Sequence, residues 1–506
     1  MNHYDLIVIG GGATGLGVAV EAITRGYRTL LLEADDYGKG TSSKSTKLVH
    51  GGIRYLANFD FSLVKEGLEE RFYFLKNAPH LAKQQSFIIP FYSWFEKIKY
   101  TIGIRLYDAL ATDKKIGKRI FLSKEETLLQ LAQLNTKNLI GSAIYHDGQF
   151  DDTRMLIALL RTFEQQGGVA LNYHVVTDFI YQDYKISGVQ VSDRLSDQSL
   201  VFTATAVINA TGTLTDTLLN KAEPHIQHHT VSAAQGTHLV FDPSLFDTTH
   251  CLVIPATSDD RILFVLPWQE KIIVGTTDIA VNQPTIEPIA QSAEIDFILE
   301  TLNRYVQKTI TRSHIKSVFC GQRPLVRDPK HQSTGKISRK HEILENAQGL
   351  ISIVGGKWTI YRRMAEDTIN YAIQKKYLWP TRSVSRDFKL WGYEQSMAHD
   401  WLNVYGSDID IILQIQRETH NFDRIHPDLP YLQAEVLYQV RYEQAKTVED
   451  VLARRTHAAL LDAKAAQQSA LLVAQLMAKE LNKDEAWVAK EVQKFEKFIT
   501  ANLPPL

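Results

Sequence analysis

The decapeptide "KLVHGGIRYL", residues 47–56, gathers three potential cations, Lys47, His50 and Arg54, around the glycine pair Gly51 and Gly52. Cations beside glycines, which let backbone come close, suit an anionic ligand. Upstream, "GGGATG" sets Gly10, Gly12 and Gly15 in the GxGxxG spacing. In that pattern Gly10 permits a tight turn, Gly12 lets backbone approach a pyrophosphate, and Gly15 lets a helix pack on a strand. The N-terminus of that helix offers N–H groups and a positive dipole end. Glu33 closes "RTLLLE", where a carboxylate accepts hydrogen bonds from a ribose diol.

Definite elements must hold these residues. "DLIVI" (5–9) reads as a short buried parallel strand, Leu16, Val20 and Ile23 as the apolar face of a helix closed by Gly26, and "RTLLLE" as a second buried strand. The whole strand-loop-helix-strand-Glu unit is a much stronger dinucleotide signal than glycine spacing alone. After Glu33 the chain runs into "ADDYGKGTSSKSTKLVHGGIRYL", a polar segment rich in hydroxyls that suits an extended isoalloxazine-bearing ligand. Thr41, Ser42 and Ser43 are assigned to that cofactor, and Lys47 either contacts it or caps its loop. "AVINATG" is a third buried strand, ending at Gly212, and "GLISIVGGKWTIYRRMAED" a further one that breaks into a helix at Gly355-Gly356. Strands converging on one ligand from distant parts of the chain favour FAD over NAD. Gly356 and Lys357 stand at that last helix start, where Lys357 brings positive charge to the flavin's pyrimidine edge.

Composition bounds the rest. The chain has 506 residues, 44% hydrophobic and 22% charged, enough for two to four domains of about 100–200 residues with a sizeable core. A net charge of -1 supplies no global field for nucleic acid, so an anion site must be local. Cys251 and Cys320 fit neither a disulfide framework nor a CxxC pair, which points to a reducing compartment. The opening residues carry no basic-then-apolar signal, no apolar run approaches the ~18 residues of a membrane span, and no metal is expected.

The motifs "VIGGGATGLGVAVEA", "TSSKSTKLVHGGIRYL", "NATG", "VGTTD", "GQRPL", "ISRKHEI" and "GGKWTIYRRMAED" occur in the order and approximate spacing of the FAD-dependent, respiratory glycerol-3-phosphate dehydrogenases. The chain resembles that family from Asp5 to beyond Asp367, and again weakly around "TVEDVLARRTHAALLD". Two departures are Thr213-Leu214, where the family usually has Pro-Trp after "NATG", and Gln322 in "GQRPL". The long insertion of the oxygen-using oxidases is not evident.

The resemblance implies an α/β fold: a Rossmann-like FAD-binding domain, an antiparallel-sheet substrate domain of the amino-acid-oxidase type, and an all-α C-terminal cap. The expected segments are FAD-binding 1–85, 146–230 and 326–387, membrane-proximal 86–145, substrate sheet 231–325 and helical 388–506. The implied reaction oxidises sn-glycerol 3-phosphate to dihydroxyacetone phosphate by hydride transfer to FAD, with electrons passed to a membrane quinone. An oxygen-using oxidase, or a related hydroxy-acid or amino-acid dehydrogenase, is the alternative. Carried over as lining the substrate are Arg54, Tyr55, Arg323 and Arg339, with Thr276 as a hydroxyl contact; a phosphate calls for several cations, preferably arginines. Arg323 and Lys357 also count as catalytic. His50 and His238 are both candidate bases, since only histidine titrates unperturbed near neutrality.

"GTHLVF", "RILFVLP" and "KIIVGTT" read as antiparallel strands that roof the pocket. Residues 87–110, read as a helix from Phe91, set Phe91, Trp94, Phe95, Ile98, Ile102 and Leu106 on one face with Lys97, Lys99 and Arg105 elsewhere, and Ile104 spoiling the polar side. Such a stripe is either an interfacial helix or a buried one. The resemblance to a quinone-reducing family favours peripheral contact with the inner face of the cell membrane, from the cytoplasm. From about Phe388 helical periodicity dominates, with a capping-box-like start at Thr447 and Asp450. This region reads as a solvated cap without chemistry, with a homodimer contact left open.

Overall fold

Alternating burial sets the first sheet. In the strand His3–Ile9, Leu6 and Val8 pack against helices on one side while Ile7 and Ile9 face a hairpin on the other, so both faces are covered and the strand is apolar almost throughout. The computed structural model describes residues 3–58, 60–255, 257–258, 261–327, 340–395 and 401–503, excluding the side chains of 54, 57 and 58. Five parallel strands lie in the order Val169–Leu171, Thr29–Leu32, His3–Ile9, Ser199–Asn209 and Ile351–Gly355, with His341–Glu345 antiparallel at the edge. The hairpin His174–Gln182 and Lys185–Asp193 extends from the first half of Ser199–Asn209. Helices Ala13–Thr24, Asp152–Gln165 and Tyr361–Gln374 cover one face. The three strands expected from "DLIVI", "AVINATG" and "GLISIVGG" are neighbours, with Ile9 opposite Asn209 and Asn209 opposite Ser352.

The second sheet runs Ile279–Val281, Val231–Phe241, Lys271–Gly275, Leu263–Trp268, Cys251–Ile254, Ala82–Phe91, Gly141–Phe150 and Leu48–Val49, with Ile315–Val326 antiparallel to Val231–Phe241. The expected hairpin is present: Trp268 pairs with Lys271 across Gln269 and Glu270, both at positive φ, as a type I′ turn requires. Two expected boundaries move. Ala82 pairs with Phe150 and Phe91 with Gly141, so divisions at 85 and 145 cut strands that belong wholly to this sheet.

The segment 87–110 also differs from its expected form. Phe87 to Phe91 are strand, and both ends are buried. The helix is Trp94–Ala111, started by Ser93, whose hydroxyl accepts from Glu96 N at 3.2 Å. Ile104, Tyr107 and Ala111 face the core, whereas Trp94, Phe95, Ile98, Ile102 and Leu106 face outward. Ile104 therefore does not interrupt a polar face; it anchors the helix.

The C-terminal helices, among them Gln433–Tyr442, Ala463–Leu481 and Glu485–Ile499, do not form a merely solvated cap. Val451, Leu452, Ala458 and Leu460 share a core with Trp268 and Phe319 of the second sheet. The Thr447–Asp450 start is formed: Asp450 N donates to Thr447 Oγ1 at 3.2 Å and Thr447 N to Asp450 Oδ2 at 3.0 Å. From the π-helical turn Asp450–Arg455, Arg454 Nε donates to Asp36 Oδ2 at 2.5 Å, and Arg455 donates to both oxygens of Asp36 at 2.7 and 2.9 Å. Arg154 and Glu443 pair in a fork at 2.8 and 2.6 Å. Burial raises the Asp36 carboxyl, but the two guanidiniums outweigh it and hold the group well below the usual carboxylate range. This stabilisation is in place above the ordinary carboxylate pKa and is lost only as pH falls through the depressed value.

Removing one partner of a buried ion pair leaves a charge uncompensated, which costs about 3–5 kcal/mol. Arg455→Ala is expected to lower denaturation stability by that amount. A loss below about 1 kcal/mol, the scale of a surface pair, would show that the cap docks without the clamp.

Candidate active site

One cavity of about 340 Å³ lies between the C-terminal ends of the parallel strands and the second sheet. Its wall takes Gly10, Glu33, residues 210–214 and residues 355–359 from the first sheet's strand ends, and Gly236, His238, Gly321 and Arg323 from the second. At the nucleotide end Gly10 has φ +111°, and a Cβ at Gly15 would stand 1.8 Å from the Gly10 carbonyl oxygen. Helix Ala13–Thr24 therefore sits directly on the turn. Its N-cap, Gly12, has no side chain to close it, and Ala13 N donates instead to Ser42 Oγ at 3.0 Å. A helix N-terminus bounded by glycine and a hydroxyl fits a pyrophosphate.

Glu33 accepts from Gly11 N at 2.6 Å and Asp35 N at 2.9 Å. Burial pushes its carboxyl up to about 7, while these two N–H bonds pull the other way. The strand ends, the glycine cradle and this carboxyl group fit the dinucleotide half of FAD, whose ribose diol Glu33 would hold.

At the other end His238, on Val231–Phe241, is 2% exposed and stacks on Phe319 with centroids 4.7 Å apart. Its Nε2 lies 3.0 Å from Thr46 Oγ1, and its Nδ1 has no hydrogen-bond partner among the described residues. Burial, then Arg323 and Lys47, hold the ring well below its ordinary pKa, so it is neutral at physiological pH. Arg323 Nη2 donates to Thr276 Oγ1 at 3.0 Å, and Nη1 lies 3.4 Å from Asp278 Oδ1. Lys357 Nζ stands 5.2 Å from the Tyr55 ring centroid. His50 N donates to Thr359 Oγ1 at 3.2 Å, and Trp358 Nε1 to Ser42 O at 2.9 Å.

Of the residues singled out in the sequence, Gly10, Gly12, Glu33, Thr41, Ser42, His50, Gly212, His238, Arg323, Gly356 and Lys357 line this one cavity. Others stand off its wall. Gly15 packs beneath the turn. Lys47 takes the loop-capping role: wholly buried, its Nζ donates to Ser43 O at 2.8 Å and Asp152 Oδ1 at 2.6 Å, which also accounts for Ser43. Thr276 is engaged by Arg323, and Tyr55 lies beside Lys357. Gly51 meets protein, since a Cβ there would be 2.6 Å from the Tyr107 hydroxyl. The Arg54 side chain and Arg339 lie outside the described residues. Thr46, inside "TSSKSTKLVH", also lines the wall, as do His174 and Val176, which reach it from a hairpin no local sequence pattern connects to it.

A mostly parallel nucleotide-binding sheet facing a mostly antiparallel one across this cavity is the arrangement of a flavin-dependent oxidoreductase. The model of the FAD dependent oxidoreductase family matches residues 5–362, and that of the C-terminal domain of alpha-glycerophosphate oxidase matches 350–488. Mitochondrial glycerol-3-phosphate dehydrogenases of Bos taurus and Homo sapiens are each 35% identical over 98% of this chain and 73% of their own length. The glycerol-3-phosphate dehydrogenase of Bacillus halodurans, solved with FAD, superposes with a TM-score of 0.80 at 28% identity, covering 100% of this chain and 96% of that one. The chain belongs to the FAD-dependent glycerol-3-phosphate dehydrogenase family.

Hydrogen bonds to a charged group contribute about 1.5–3 kcal/mol. Glu33→Ala is therefore expected to weaken FAD binding by roughly 10- to 100-fold, measured by titrating FAD into stripped protein. Wild-type affinity would remove Glu33 from the ribose.

Proposed function

We propose that the protein oxidises sn-glycerol 3-phosphate to dihydroxyacetone phosphate in this cavity and passes the electrons to a membrane quinone. One observation carries the reading: a buried neutral imidazole and a guanidinium, His238 and Arg323, stand together on the wall that the glycine cradle also lines. Arg323 binds the phosphate, its fork suited to two oxygens at once, with Arg54 and Arg339 as further cations. His238 takes the proton of the C2 hydroxyl; a base must begin unprotonated, and burial with two neighbouring cations keeps it so. Lys357 lines the pocket with Tyr55 beside it, and adds positive charge near the cofactor. Bound FAD supplies the acceptor for the hydride that leaves C2.

Membrane contact is read from helix Trp94–Ala111. Trp94, Phe95, Ile98 and Ile102 are 58–75% exposed, and Lys97 lies over the Trp94 ring at 4.8 Å. An apolar stripe flanked by cations suits the lipid interface. Among the described residues no helix is long and apolar enough to cross a membrane; the contact proposed is a peripheral one, at the inner face of the cell membrane.

Anaerobic addition of sn-glycerol 3-phosphate to the FAD-loaded protein is expected to bleach the flavin's visible absorbance, and glycerol to leave it unchanged. No bleaching by the phosphorylated alcohol would overturn the substrate assignment. Separately, the protein is expected to float with anionic liposomes, and Ile98→Glu with Ile102→Glu to abolish flotation while flavin bleaching persists. Equal flotation of the variant would put the membrane contact elsewhere.

A further inference from the structure

We propose that Thr46 is a positioning residue for proton transfer: its hydroxyl accepts the Nε2–H of His238, selects the tautomer that leaves Nδ1 as the proton-accepting atom, and is held in register by Asp152. The inference rests on His238 being the base.

A neutral imidazole carries one proton on two nitrogens. With the proton on Nδ1, a buried N–H would face no acceptor among the described residues, and a buried unsatisfied donor is the costlier orphan. With the proton on Nε2, Thr46 Oγ1 accepts it at 3.0 Å and the lone pair falls on Nδ1, the ring nitrogen that no group engages among the described residues. Once Nδ1 is protonated, the same Nε2–H keeps its acceptor while the ring is cationic, when the bond is strongest.

The hydroxyl does not wander, because both neighbours of Thr46 are tied to one carboxylate. Asp152 Oδ2 accepts from Ser45 N at 3.1 Å and Ser45 Oγ at 2.7 Å, and Oδ1 accepts from Lys47 Nζ at 2.6 Å. Lys47 has φ +59°, a left-handed conformation that a non-glycine residue holds only when its surroundings insist. Asp152 opens helix Asp152–Gln165, whose N-terminus favours the anion. Asp151, Asp152 and His457 cluster closely enough to suggest a cation site, but Lys47 already supplies the cation, and His457 Nε2 lies 2.7 Å from Asp151 Oδ1.

Among the described residues few groups face His238. Phe319 and Arg323 come from Ile315–Val326, Gly275 backbone from Lys271–Gly275, and Thr46 and Lys47 from the loop. The charged ones, Arg323 and Lys47, are paired with Asp278 and Asp152.

The test is the rate of anaerobic flavin reduction by sn-glycerol 3-phosphate, followed across pH in the FAD-loaded wild type, Thr46→Val, Thr46→Ser and Asp152→Asn. Thr46→Val removes the acceptor and keeps the shape. It is expected to slow reduction by roughly 10- to 100-fold, part of the gain a positioned base supplies. It also moves the acid limb of the profile to lower pH, because the imidazolium loses its acceptor. Thr46→Ser is expected to restore most of the rate, and Asp152→Asn to reproduce part of the loss. Wild-type rate and profile in Thr46→Val overturn the proposal. If Thr46→Val does not hold FAD, Thr46→Ala is read in its place, with wild-type behaviour again overturning it. A wild type that the substrate fails to reduce removes the reading of the cavity itself, whereas reduction that ignores Thr46 removes only this role.

Discussion

The buried carboxylate of Asp36 is the constraint on which the arrangement turns. It sits three residues beyond Glu33, in the loop that closes over the nucleotide end, and its charge is met by two guanidiniums from the far end of the chain. A desolvated anion is tolerable only when paired, so the nucleotide loop and the C-terminal domain cannot reach their places independently. The apolar contacts agree: the same C-terminal turn that carries Arg454 and Arg455 buries Val451 and Leu452 against the core of the second sheet. Cofactor loop, substrate sheet and helical domain are thereby one structural unit.

Within that unit, the hydroxyl-rich run 41–47 joins the two ends of the cavity. Thr41 donates to Gln322 O at 2.5 Å on the second sheet, Ser42 meets the nucleotide helix and accepts from Trp358, Ser45 binds Asp152, and Thr46 reaches His238. Short hydroxyl side chains suit this task because each can donate or accept, and so satisfy buried backbone and side-chain groups that a sheet ladder does not reach. In consequence the glycine cradle and the His238 ring share one support.

The helix Trp94–Ala111 is organised by a different rule. Its inner face is held by Ile104 and Tyr107, whose hydroxyl donates to Asp147 at 2.5 Å, and its outer face is apolar. An unpartnered stripe of this kind is stable in water only as an exception, and it projects from the same sheet that lines the cavity.

Much was legible in the chain itself. The glycine spacing, the strand periodicities and Glu33 define the nucleotide unit because their physics is local: a turn needs a residue free at positive φ, a helix start needs close backbone, and a buried parallel strand needs a continuous apolar run. The hairpin at Gln269 and Glu270, the Thr447–Asp450 start and the family motifs were legible for the same reason. Only the tertiary structure decided that Lys47 serves its loop, that Phe87 to Phe91 are strand, that Ile104 faces inward, that Thr46 meets His238, and that Asp36 meets the Arg454–Arg455 pair. Each of those outcomes depends on partners far away in sequence: Asp152 for Lys47, Gly141 to Tyr145 for the strand, His238 for Thr46 and Asp36 for the arginines. Periodicity reports which face of an element is apolar, while the group that meets that face is settled only when the sheets close on one another.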